Sequence, residues 1–132
     1  MTAGLAPSLV SGWLNTLRSS GTAYSAVAGT FAQLHTGDPG AAGTSSVSAG
    51  STTRNGFTFA ASSSGSALAL GTPPSAWTNG GTSETLTHIS VWTAASGGTF
   101  LFSVALTASK AWASGDTFTL TSLGASLSPQ SA

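Results

Sequence analysis

The chain has 132 residues with three Lys or Arg, three Asp or Glu and no Cys, a length that fits one domain. Arg18, Arg54 and Lys110 are too few and too scattered to neutralise a run of phosphates or to line a membrane-surface helix, which excludes nucleic acid and the membrane as partners. Without Cys there is neither a disulfide framework nor a thiolate metal site.

Charged residues make up 5% of the sequence, against about 25% for an average globular chain. A surface with so little charge protects poorly against self-association. The expectation is a chain covered in use by copies of itself or by another protein. The N-terminus lacks the charged leader and apolar run of a signal peptide. No stretch approaches the roughly 20 apolar residues of a membrane span. Four Trp and six Phe can supply a core despite the Gly/Ser/Thr background.

Residues 1–21 read as a short helix. Pro7 suits a first turn, and Leu9, Val10, Trp13, Leu14 and Leu17 recur at helical spacing. Arg18 complements the dipole in the last turn and Gly21 is the expected stop. Gly12 weakens the helix by about 1 kcal/mol relative to Ala. So short a helix does not persist alone in water and must dock, on its own domain or in a neighbouring subunit. Leu9, Trp13 and Leu17 are the candidate anchor.

A strand follows, best defined over Thr30–Thr36, with Phe31, Gln33 and His35 alternating with Ala32 and Leu34. Asp38-Pro39-Gly40 is turn chemistry and opens a long polar loop over residues 37–51. Thr36, Asp38, Pro39 and Val47 are its candidate subunit contacts. Thr53–Ala60 reads as a second strand, with Phe57 and Phe59 on one face and Asn55-Gly56 as a tight turn or a bulge. Ala67–Leu70 is a short strand. Pro73-Pro74 then blocks pairing, with Trp77 nearby as a core plug.

After the turn Asn79-Gly80-Gly81, Glu84–Thr93 and Thr99–Leu106 form a β-hairpin across Ser96-Gly97-Gly98. Lys110–Trp112 is a short strand or an edge, and Thr117–Leu123 a strand with one solvated face. The tail Gly124–Ala132 is polar and loose, with Leu127 as a candidate for pairing. Short strands between Gly/Ser turns predict a mainly β chain: an antiparallel β-sandwich or small barrel with a short N-terminal α-helix. Residues 1–21 are then the helix and candidate anchor, and 22–132 a single β-sandwich domain with its long loop at 37–51.

Little in the chain carries chemistry. His35, three residues before Asp38, invites a triad with one of many Ser hydroxyls, but no Gly-x-Ser-x-Gly elbow exists. The preferred reading of Asp38 is a turn former and of His35 a hydrogen-bonded strand-end group. His88 shares a face with Leu86 and Trp92, the setting of a core or interface histidine. Two His, three carboxylates and no Cys show no metal-site spacing. No paired carboxylates support glycoside hydrolysis. Trp77, Trp92 and Trp112 would stack on a sugar if exposed, but core roles are preferred.

Four stretches, taken in order, carry a resemblance. They are Leu34-His35-Thr36-Gly37-Asp38-Pro39-Gly40, the run from Ser46 to Arg54, Thr87-His88-Ile89-Ser90-Val91-Trp92 continuing to Gly97-Gly98, and Ser114-Gly115-Asp116-Thr117-Phe118. Together they resemble small phage virion proteins of the tail-fibre or minor-tail type. Ser46 stands where that pattern commonly has Glu, Thr52 where it has an aromatic and Thr93 where it has Asp, so this chain carries less charge.

The resemblance implies a non-enzymatic structural component of the virion, assembled in the bacterial host cytoplasm. It would be present in many copies and need no cofactor. Tail fibre, minor tail and capsid decoration all fit, since small β-rich virion proteins also decorate heads. A homo-oligomer is implied, with a trimer as the expected state and other capsid or tail proteins as partners. The alternative is a carbohydrate-binding module that recognises a host-surface glycan through an exposed Trp or the 37–51 loop.

Overall fold

The computed structural model describes residues 3–18, 24–61 and 67–126. Helix α1 spans Pro7–Asn15, with the proline in its first turn. It is shorter than the expected span. The N–H groups of Thr16, Leu17 and Arg18 turn back to the carbonyls of Trp13, Leu14 and Asn15, and Thr16 Oγ1 donates to Trp13 O at 2.6 Å. Arg18 therefore lies past the helix rather than in its last turn. Gly21, the expected stop, falls outside the described residues, as does Leu127. Gly12 has a packing reason, because a Cβ there would meet the Tyr24 ring.

The strands are β1 Thr30–His35, β2 Asn55–Phe57, β3 Phe59–Ala60, β4 Ala67–Leu70, β5 Trp77–Thr78, β6 Glu84–Trp92, β7 Phe100–Trp112, β8 Thr117–Phe118 and β9 Ala125–Ser126. They pair antiparallel in three sheets, ordered β2-β1-β6-β7, β3-β4-β9 and β5-β8. Among the described residues no sheet closes on itself, which sets the barrel aside. One apolar cluster joins the sheets: Ala32, Leu34, Ile89 and Val91 of the largest sheet pack with Trp77, Leu120 and Leu123, and Phe59, Leu70 and Phe118 lean on it.

The expected Thr53–Ala60 strand divides because the chain changes sheets at Thr58. Phe57 pairs with Thr30 in the large sheet, whereas Phe59 pairs with Leu70 in the second. Between them, Thr58 exchanges backbone bonds with Gly71 and Thr72. Asn55 and Gly56 are neither a tight turn nor a bulge. They pair with Ala32 and Phe31, and the Phe31 ring packs closely, 3.3 Å from where a Gly56 Cβ would sit.

The hairpin's return strand and the separate Lys110–Trp112 piece are one strand, β7. Leu86 pairs with Lys110 but His88 with Ala105, so β7 spends five residues where β6 spends two. That bulge breaks the alternation through Leu106–Ser109, which is why the pattern reads as two pieces. Thr117–Leu123 shortens to β8, since its partner β5 has two residues between Pro73-Pro74 and the Asn79 turn. Ala125 and Ser126 pair with β4, so this part of the tail is not loose.

Candidate functional site

His35 ends β1 opposite His88 of β6 and has no exposed surface. Its Nδ1 lies 2.8 Å from Ser45 O and its Nε2 2.7 Å from Ser90 Oγ. A carbonyl only accepts, so Nδ1 carries the proton. Trp92 Nε1–H donates to the same Ser90 Oγ at 2.7 Å, so the single hydroxyl proton of Ser90 points to His35 Nε2. This is a serine–histidine pair in outline. Yet Ser90 is 0% exposed, and no face of the pair is open to a substrate. Burial, the largest influence, holds the His35 pKa below the usual histidine value.

The loop that leaves β1 is built into the fold. Asp38 Oδ1 accepts the Gly40 N–H at 2.8 Å, the turn expected of Asp-Pro-Gly, and Gly40 takes φ +73°. Backbone bonds from Thr36 N to Ser46 O and from Ser48 N to Leu34 O fold the loop back along the strand end, and Val47 bridges His35. Gly43 closes onto the Phe100 ring. At its far end Glu84 takes the Ser48 hydroxyl and the N–H groups of Ala49 (3.1 Å) and Gly50 (3.2 Å). A carboxylate accepting several donors from one segment is a strong clasp.

Arg54 forms a second clasp. Its guanidinium lies 3.6 Å above the Trp92 ring. Nε donates to Gln33 Oε1 at 3.2 Å, and Nη1 to Gly97 O at 2.6 Å and Ala94 O at 3.4 Å. It thus ties the β6–β7 turn to the sheet. Asn79, 1% exposed, donates to Thr82 O and Trp112 O and accepts from Gly81 N–H. Trp77, Trp92 and Trp112 are buried, with indole N–H groups committed to Thr53 O, Ser90 Oγ and Asp116 O. None offers a free face to a sugar ring.

The candidate anchor residues separate. Leu9 is 6% exposed and belongs to the core, whereas Trp13 is 37% and Leu17 82% exposed, with Leu14 at 61% between them. Trp13 and Leu9 border an apolar cavity of about 560 Å³, completed by Leu5, Tyr24, Phe59 and Leu68 among others. Of the loop candidates, Pro39 is fully buried, and Thr36, Asp38 and Val47 are half-buried. The structure does not bring the helix and loop candidates into one cluster. His88 Nδ1 lies 2.8 Å from the hydroxyl of its neighbour Thr87. Among the described residues no three His, Asp or Glu converge on one point.

A family model described as Podophage GP4 fiber I protein gp80 matches residues 7–128. The chain belongs to this family. The gp80 description is that of a phage fibre structural protein, and the tail-fibre resemblance read from the four stretches agrees with it. All four stretches lie inside the matched region. A comparison with curated proteins finds no match. Among the described residues of this gp80-family chain, no helix is long and apolar enough to cross a membrane.

The sequence pattern does not single out Ser90, Glu84, Arg54 or Asn79 as site residues. Ser90 carries a readable signal, since it shares an alternating face with His88 and Trp92. Glu84 and Arg54 were legible only as rare charges, whose backbone partners are remote in sequence.

Proposed function

We propose that this gp80-family chain is a non-enzymatic structural subunit of a phage fibre. It associates with copies of itself, as a trimer, and with other virion proteins. Residues 1–21 serve as its anchor and residues 22–132 as its β domain. The observation that carries the reading is the apolar ridge of Trp13, Leu14 and Leu17 beside the 560 Å³ cavity. Large apolar side chains grouped in the open mark an interaction site, and the neutral surface sets no charge repulsion between copies. Leu9 fixes the helix to the domain and leaves Trp13 and Leu17 to meet the neighbour. Thr36, Asp38 and Val47 are the secondary contacts, with buried Pro39 shaping their loop.

A Trp13→Ser/Leu17→Ser double variant tests this, because both side chains leave the core cluster intact. Sedimentation of the purified full chain is expected to show trimers for the wild type and monomers for the variant, with matching circular dichroism. A variant that assembles as the wild type does would remove the anchor. A wild-type chain that stays monomeric at all concentrations, and neither co-purifies with nor binds virion proteins, would remove the association itself.

A further inference from the structure

One titratable ring joins the long loop to the large sheet. His35 Nδ1–H holds the carbonyl of Ser45, well into the loop, while Nε2 accepts from Ser90 of β6. Ser90 Oγ is also the acceptor of the Trp92 indole N–H. All three bonds are satisfied only while the ring is neutral. A second ring proton would set Nε2–H against a hydroxyl whose own proton points at it. Among the described residues, Ser90 Oγ has no third hydrogen-bond partner toward which that proton can turn. The backbone bonds that close the loop, Thr36 N to Ser46 O at 2.8 Å and Ser48 N to Leu34 O at 3.0 Å, lie beside this ring.

Charges facing the ring do not favour a second proton. His88 stands opposite on β6, and Arg54 approaches from the segment entering β2; both disfavour a cation at His35. Asp38 and Glu84, the carboxylates at the two ends of the loop, are committed to Gly40 N–H and to the Ser48–Gly50 clasp. Neither is among the groups acting on His35.

We propose that His35 is an acid-sensitive latch, which closes the 37–51 loop onto the sheet when neutral and releases it when protonated. Burial, the largest cause, lowers the His35 pKa from 6.5, and His88 and Arg54 lower it further, while the Ser45 and Ser46 backbone opposes them. With the loop open the ring titrates near its usual value, so the closed form binds fewer protons. The latch is therefore fully effective above the open-state pKa. It weakens as pH falls below that value, and the loss ends once the closed-state pKa is passed. In that window the open population rises by up to about tenfold per pH unit.

Amide hydrogen exchange on the full chain tests this, corrected for the intrinsic rate and read between about pH 5 and pH 8. The His35 ring C–H shift is followed by NMR in the same samples. Protection at Thr36, Gly43, Ser45 and Ser48 is expected to fall about tenfold per unit below about pH 6.5, while Ala32 and Val91 keep theirs. His88→Gln should retain the step and His35→Gln abolish it. Should His35→Gln fail to fold, Ser90→Ala removes the donor to Nε2 in the closed form, so the fall in protection should begin at the same pH but end at a higher one, with a smaller total loss. Loop amides that stay protected while the ring is seen to protonate would overturn the latch. So would a step that survives in His35→Gln or keeps its full size in Ser90→Ala, or a ring that stays neutral until Ala32 and Val91 lose protection with everything else.

Discussion

Replacing Arg54 separates the packing of the β6–β7 turn from that of the sheet beneath it. In Arg54→Ala the guanidinium leaves the Trp92 face, 3.6 Å below it, and Gly97 O loses its 2.6 Å donor. A cation–π contact at a partly desolvated site contributes about 0.5–2 kcal/mol, and a hydrogen bond from a charged group about 1.5–3 kcal/mol. Arg54 is half-buried and water can replace it at the carbonyls, so the lower parts of these ranges apply. The expected loss is about 2–3 kcal/mol. Arg54→Lys keeps a cation over the ring but not the fork that reaches both Gln33 and Gly97, and should lose about 1–2 kcal/mol. Urea unfolding followed by tryptophan fluorescence reads both variants, with the midpoint moving by roughly 1 M for the alanine. A double-mutant cycle with Trp92→Phe should return a coupling of about 1 kcal/mol between the two positions. Zero coupling, or an alanine variant within about 0.5 kcal/mol of the wild type, would refute the clasp.

Glu84→Gln keeps the shape but removes the charge that receives Ser48, Ala49 and Gly50. It should lower stability by about 1–2 kcal/mol in a thermal melt, with exchange rising first at Ala49 and Gly50. Gly43 and Gly97 share positive φ values of +72° and +62°, but a Cβ at Gly43 meets the Phe100 ring while one at Gly97 meets nothing. Alanine at Gly97 should therefore cost about 1–2 kcal/mol of backbone strain, and at Gly43 at least about 1 kcal/mol more; equal losses in urea unfolding would remove the contact with Phe100. Asn79→Ala strands Trp112 O in the interior, while Thr82 O and Gly81 N–H can turn to water, and should cost about 2 kcal/mol, measured the same way.

Local alternation and turn chemistry make much of this fold legible in the sequence. Thr30–His35 and the Glu84–Trp92 strand follow a period of two, and Asp38-Pro39-Gly40 and Ser96-Gly97-Gly98 carry turns that their residues dictate. The rest is decided by partners. Nothing near Thr58 announces that Phe57 and Phe59 pair in different sheets, because their partners Thr30 and Leu70 are far away in the chain. The β7 bulge hid one long strand as two, since a bulge erases the alternation on which the reading depends. The site was less legible for the same reason. His35 could be recognised as a hydrogen-bonded strand-end group, but Ser90 lies 55 positions away and Ser45 ten positions along the loop.

The scarcity of charge and the proposed assembly share one physical basis. Among the described residues, Asp38 is hydrogen-bonded to the backbone of Gly40, Glu84 to that of Ala49 and Gly50, Arg54 to that of Ala94 and Gly97, and Asp116 to that of Ala113. Each ties down a loop or turn that small, flexible residues would otherwise leave loose. Charges used in this way hold the chain's own segments in place and leave a surface of Ser, Thr, Ala and a few large apolar groups. Stripping water from an ion is among the largest costs of burying a surface. A neighbour that covers Trp13 and Leu17 strips water mainly from neutral groups. The same few charges thus order the loops of this fibre-family chain and leave its outer face inexpensive to cover.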